Sequence, residues 1–162
     1  MNDAIAIIKD EHRSMAAVVK GLQTHIAAVR EGREPADYHL FLAMFDYIES
    51  VPDRLHHPKE DEYLFRFLRL RSAQAVPVLD QLEAEHIEAR ELLSGLRMAL
   101  EQFRKDGSLD ALGLAVDAYA NFLWVHMQKE EEVIIPMAET ALTEQDWQTL
   151  TTAFQANRNL AW

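Results

Sequence analysis

Two stretches of the chain, HHPKEDEYLF at residues 56–65 and HMQKEEEVII at 126–135, begin with His-x-x-x-Glu and pass through acids into a short apolar run. Residues four apart on a helix share a face, so His56 with Glu60, and His126 with Glu130, could each grip one metal ion. A second echo accompanies them in Glu11-His12 and Glu85-His86. The order EH, HxxxE, EH, HxxxE is offset by about seventy residues, as two similar helical hairpins would give. The chain has no cysteine, which removes thiolate sites, disulfides and a cysteine nucleophile. Imidazole and carboxylate are then the strong ligands, and they suit iron, manganese or zinc.

The elements that must position these residues are helices. Apolar residues recur at alternating steps of three and four, Gly and Pro are few, and no stretch sustains period-two alternation. The first helix is predicted from Asp3, capped by Asn2, to Glu31, stopping at Gly32 and Pro35. The second runs from Ala36 to Leu70, kinked or broken near Pro52 and Pro58, which each remove a backbone donor. The third opens at or near Ser72 and reaches Lys105. The fourth is capped by Ser108 and ends at Ile135, before Pro136. A shorter fifth helix follows Thr143, where Thr-Glu-Gln-Asp resembles a capping box with Asp in place of Glu. The connections are short. The reading is an all-α, up-down-up-down four-helix bundle over residues 1–142, with residues 143–162 as a C-terminal helix and tail packed on it.

Laying out the buried seams shows what interrupts them. The first helix gives Ile5, Ile8, His12, Met15, Val19, Leu22, Ile26 and Val29, and the third gives Leu79, Leu82, His86, Ala89, Leu93, Leu96, Leu100 and Phe103. Each apolar stripe is broken by one histidine. The fourth gives Leu112, Val116, Tyr119, Leu123, His126, Glu130, Val133 and Met137, and the second passes through His56, Glu60, Tyr63, Phe67 and Leu70. A buried, unpaired carboxylate costs several kcal/mol, and no Lys or Arg occupies these seams to offset it. At ~1.5 Å per residue, His12, His86, His126 and Glu60 lie ~14–15 Å from one bundle end and His56 ~21 Å. One such histidine is most often a hydrogen-bonded core residue. Four on four helices at one level, with two glutamates beside them, point to a metal site.

Six ligands exceed what one four-coordinate ion accepts, whereas two ions bridged by carboxylates use them all. A ferritin-like site needs Glu-x-x-His twice, and here only Glu83-x-x-His86 fits, since Leu123 stands three before His126. With EH, HxxxE, EH, HxxxE in register over about residues 3–136, the chain resembles the hemerythrin-like family, the HHE cation-binding domain. The resemblance implies two iron ions in a non-heme di-iron centre, with His12, His56, His86 and His126 as terminal ligands and Glu60 and Glu130 bridging. The oxygen-carrying members have His-x-x-x-His on the third helix, where this chain has His86 followed by Arg90. His57, at i,i+3 to Glu60, is the candidate replacement, and unwinding at Pro58 would let both His56 and His57 turn inward. Tyr63 and Tyr119 lie one or two turns from the ligands. His25 and His39 are read as peripheral.

The resemblance implies binding or sensing of dioxygen or nitric oxide. Two other readings compete. One is a di-iron enzyme acting on peroxide or nitric oxide, or donating iron for iron–sulfur cluster repair, although the cysteine-bearing domain of the repair proteins is absent here. The other is an interaction module with a structural metal, in which Trp147, Phe154 and Leu160-Ala161-Trp162 cap the bundle or form a homodimer contact, capping being preferred. A net charge of −11 argues against nucleic acid and anionic membrane. No apolar run approaches the ~18 residues of a membrane span and the N-terminus lacks a basic leader, so the expected compartment is the cytoplasm.

Overall fold

The computed structural model describes residues 2–161, and the surroundings of side chains through Arg158. Trp162 and the side chains of Leu160 and Ala161, invoked above for capping or a dimer contact, lie outside the described residues. The described chain is helical apart from short connections and contains no strand. We number the helices α1 (Asp3–Arg30), α2 (residues 38–71), α3 (Val76–Asp106), α4 (residues 110–141) and α5 (Glu144–Ala161). None is long and apolar enough to cross a membrane.

Local chemistry sets the ends. The Asn2 side chain accepts from the Ala4 N–H at 3.0 Å, and Gly32, at φ 73°, lets the chain turn away from α1. Thr143 and Asp146 cap α5 reciprocally, with the Asp146 N–H donating to Thr143 Oγ1 at 3.1 Å and the Thr143 N–H to Asp146 Oδ2 at 3.0 Å. The α2 boundary moves from Ala36 to Tyr38, because Asp37 takes the cap and accepts from the Leu40 N–H. A short 3-10 turn, Ala73–Ala75, precedes α3.

The prolines act differently from the sequence expectation. α2 is continuous from residue 38 to residue 71, and α4 continues through Pro136 to Ala141. Three segments are wound as π-helix instead: Glu49–His56 and Glu60–Phe65 in α2, and Glu130–Ile134 in α4. Pro52 lies inside the first, while Pro58 and Pro136 open the α segments that follow, a position that tolerates a missing N–H. A π turn closes its hydrogen bond one residue further along than an α turn, so the buried face slips by one position. After Glu130 the core residue is Ile134, fully buried, and Val133 is 41% exposed. After Glu60 the fully buried positions are Leu64, Phe65 and Leu68, and Leu70 is 72% exposed. The seams assigned to Val133 and Leu70 are thus corrected, and the buried residue five steps on, Phe65 in one copy and Ile135 in the other, marks the slip.

α1 packs on α2 and α4, and α3 on α2 and α4, while α5 lies against α1 and the π turns of α2. The core divides into two apolar clusters. One gathers Ile5, Ile8, Leu64, Leu68, Leu79, Leu82 and Ile134 with Leu150 and Phe154 of α5. The other gathers Met15, Val19, Phe45, Ile48, Leu93, Leu96, Val116 and Leu123. Along every helix the histidines and glutamates singled out above fall between the members of these clusters.

Candidate metal centre

All seven residues are buried: His56 and Glu60 at 0% exposure, His126 and Glu130 at 1%, and His12, His57 and His86 at 2–3%. They fall into groups whose potential ligand atoms lie within 4.8 Å of one another: His12, His56 and Glu60; Glu60, His86, His126 and Glu130; and His57, His86 and His126. Glu60 is common to two groups. Its Oε1 is 2.8 Å from His56 Nε2 and 3.5 Å from His12 Nε2, while its Oε2 is 3.1 Å from His86 Nε2. Glu130 Oε1 lies 2.7 Å from His126 Nε2 and 3.9 Å from His12 Nε2. Each carboxylate therefore faces imidazoles from both halves of the repeat.

Buried polar atoms without partners show what such a cluster needs. Neither oxygen of Glu60 or Glu130 receives a hydrogen bond from the described residues, nor does Nε2 of His12 or His56 or either nitrogen of His57 have one. Leaving such groups unpaired in a packed interior is costly. His86 Nε2 and His126 Nε2 face each other at 3.1 Å, and the other nitrogen of each ring is held by a carboxylate. Two bare lone pairs at that distance repel, whereas two cis ligands ~2.1 Å from one ion sit about that far apart. Imidazole nitrogens and carboxylate oxygens alone form the donor set, and they fit iron, manganese or zinc.

The electrostatics are those of a site built for cations. Burial alone would push the His56 imidazole down, but Glu60 and Glu11 outweigh it and lift it to about 10. Burial likewise opposes, and Glu130 and Glu85 then raise, His126 to about 10, while Asp61 and Glu60 take His86 to about 9. His57 moves the other way, driven well below the ordinary value by burial and by neighbouring His86, so it offers a neutral ring. Burial would raise Glu60, but His56, His12 and His86 hold it down; burial and the charge of Glu60 push Glu130 up.

The sequence argument missed the carboxylates that aim the rings. His56 Nδ1 lies 3.1 Å from Glu11 Oε1, His126 Nδ1 3.0 Å from Glu85 Oε1, His86 Nδ1 2.7 Å from Asp61 Oδ1 and His12 Nδ1 3.0 Å from Glu131 Oε2. A proton held on Nδ1 by a carboxylate fixes the ring and leaves Nε2 to a metal. Shifting each residue by one repeat turns Glu11–His56 into Glu85–His126, and Asp61–His86 into Glu131–His12. The signal was available, since each of these acids adjoins a site residue in sequence. Asp61 and Glu131, members of acid runs that resemble a solvated helix face, instead reach inward, whereas Glu62 and Glu132 are exposed. Asn157 of α5 donates to Glu11 at 3.0 Å and Lys129 to Glu85 at 2.8 Å.

The two copies differ around His57. It stacks on His86, with ring centroids 4.2 Å apart, and its Nδ1 is 3.5 Å from Asp53 Oδ1. Asp53 is buried with neither oxygen hydrogen-bonded, and burial pushes its carboxyl up to about 6. Tyr119 is buried and its hydroxyl has no hydrogen-bond partner among the described residues, and Tyr63 packs half-buried against the apolar cluster of Ile5, Leu64 and Ile134. His39 is exposed. His25 is buried but remote, bonding Glu34 at 2.9 Å and accepting from the Asp37 N–H at 3.3 Å, so it ties down the turn between α1 and α2. Phe65 stacks on His86, Phe122 on His126, and Phe154 meets His56 edge-on.

No curated protein and no solved structure gives a significant match to this chain. The model of one family, the hemerythrin HHE cation binding domain, matches residues 3–138, the span that carries every residue of the histidine–carboxylate layer, and the chain belongs to that family.

Proposed function

We propose that this is a non-heme di-iron protein of the hemerythrin-like type that binds or senses dioxygen or nitric oxide. His12 and His56 would hold one iron and His57, His86 and His126 the other, with Glu60 and Glu130 shared. The observation that carries the reading is Glu60, whose two oxygens point to imidazoles of different groups, Oε1 to His56 and Oε2 to His86. Ferrous iron held there supplies electrons and a coordination position for a diatomic ligand. The chain's part is to hold each Nδ1 proton on a carboxylate, to leave each Nε2 bare, and to keep water out with Phe65, Phe122 and Phe154.

The bundle we infer is up-down-up-down in α1–α4, residues 1–142, with residues 143–162 laid on it as a capping helix. The buried Phe154 and the Asn157–Glu11 bond support capping. The competing reading, an iron centre open enough for turnover of peroxide or nitric oxide, depends on His57 standing aside. Its burial and its stacking on His86 favour the filled, reversible site.

Metal analysis of protein produced with iron available, with optical spectra before and after exposure to oxygen, tests the proposal. Two irons per chain and a ferric charge-transfer absorption are expected, and fewer than about one iron per chain would sink it. In His57→Ala, unchanged iron content together with faster peroxide turnover would favour the enzyme.

A further inference from the structure

Resting on the di-iron reading, we propose that small anions reach the centre through a doorway between Asp53 of α2 and Arg90 of α3, and that Arg90 is the residue that selects them. The surface cavities described differ in what lies behind them. Those of about 540 Å³, at Asp3 and Trp147, and about 410 Å³, at Ile5 and Arg13, touch none of the seven site residues. A cavity of about 20 Å³ does: it is lined by Asp53, His57, Pro58, Asp61, His86 and Arg90. That is room for about one water-sized group, set against two of the imidazoles. An outer groove of about 370 Å³ shares Asp53 and Arg90 with it and adds Arg54 and Arg97. The groove and the inner cavity therefore meet at the Asp53–Arg90 pair.

The charges along this path are unlike those of the rest of the molecule. A chain of net charge −11 repels anions over most of its surface, yet on this groove Arg54, Arg90 and Arg97 outnumber Glu49 and Asp53. Arg97 is engaged by Asp46 at 3.0 Å and Glu49 at 3.4 Å, and Arg54 by Glu49 at 3.6 Å. Arg90 is exposed and lines both the groove and the inner cavity; Ser94 Oγ donates to its backbone carbonyl at 3.3 Å, while its side chain has no hydrogen bond or ion pair among the described residues, so its guanidinium is available to an incoming anion. Behind it Asp53 is buried, its oxygens unbonded and one of them 3.5 Å from His57 Nδ1. Arg90 offsets that negative charge at the threshold. An inner cavity with room for about one water-sized group passes only the smallest and narrowest ions, entering end-on.

The test is azide binding to the iron-loaded ferric protein, followed by stopped flow at the charge-transfer band over a range of salt, with nitric oxide on the ferrous protein as the neutral probe. Arg90→Ala should slow azide association about fourfold and flatten its salt dependence, the effect of one charge removed near the path. Arg90→Glu should slow it about tenfold or more, while Arg13→Ala, beside an unconnected cavity, leaves it unchanged. Nitric oxide association should stay within about twofold in all three. Iron-loaded Arg90→Glu protein that takes azide at the wild-type rate, or that slows nitric oxide as much as azide, overturns the doorway and leaves the di-iron reading intact. Failure of the wild-type chain to take up iron overturns both.

Discussion

Replacing Glu85 with alanine separates a carboxylate that aims a metal ligand from one that merely sits near it. Glu85 is buried, accepts from His126 Nδ1 at 3.0 Å and receives Lys129 at 2.8 Å. Its removal strands a donor on a ring that is 1% exposed, which water cannot readily reach. Loss of a hydrogen bond to a charged partner, with the donor left unsatisfied, costs about 1.5–3 kcal/mol. Lys129 is 30% exposed and returns to solvent for a few tenths of a kcal/mol more. Metal affinity should fall about 10- to 100-fold, because His126 loses both its orientation and its basicity. Glu131 provides the contrast: it makes the same kind of bond to His12, at 3.0 Å, but is itself 35% exposed. Water can replace it, so Glu131→Ala should cost under about 1 kcal/mol and weaken metal binding only a fewfold. Glu85→Gln keeps an acceptor oxygen and should recover about half the loss. Urea unfolding of the metal-free proteins, with cobalt(II) or iron(II) titration against a chromophoric chelator, gives both numbers. Equal effects for Glu85→Ala and Glu131→Ala, or an affinity within twofold of wild type for Glu85→Ala, would refute the reasoning.

Three further outcomes are expected. Glu130→Gln should lower the metal stoichiometry from two toward one without unfolding the chain, measured by metal analysis beside circular dichroism. Phe154→Ala removes a fully buried ring whose centroid is 6.0 Å from His56, and should cost about 3–5 kcal/mol in chemical denaturation while accelerating metal loss to a chelator. Asp146 is held down to about 2, chiefly by its bonds from Arg71 and also by the Thr143 donors. A depressed carboxyl stabilises the fold above its unfolded value near 4 and loses that contribution as pH falls from about 4 through 2. Since Arg71 is half in solvent, the screened contribution is about 1 kcal/mol. Asp146→Asn should therefore be less stable by about that amount at pH 7, and indistinguishable from wild type near pH 2, in thermal melts.

The sequence carried the helices and the layer because both rest on periodicity. His12, Met15 and Val19 on one stripe, and His86 with Leu82 and Leu93 on another, are readable without coordinates. What was hidden was the phase of the helices beyond the glutamates. Counting by three from Glu130 reaches Val133, whereas the π turn buries Ile134 and Ile135 instead. Prolines read as breakers sit where those turns have made their missing N–H harmless. The carboxylates behind the imidazoles were hidden for a different reason, since Asp61 and Glu131 look like any solvent-facing acid until the partner helix is placed across from them. His57 falls between these cases. Its type and spacing raised the question, and only its stacking on His86 brought it to the cluster.

Two of the four carboxylate-to-ring bonds stay within one half of the repeat and two cross between the halves. Glu11–His56 closes within the first and Glu85–His126 within the second, whereas Asp61–His86 and Glu131–His12 stitch one to the other. His12, His56 and Glu60 all precede residue 61, while the other group waits for His86, His126 and Glu130. A centre whose halves mirror each other in space is therefore staggered in time during synthesis. All residues of the first group are on the nascent chain before His126 and Glu130 have been translated, and the stitch from Glu131 back to His12 spans 119 residues. Closing it, and then the longer Asn157–Glu11 bond across 146 residues, ties the last-made helices back to the first.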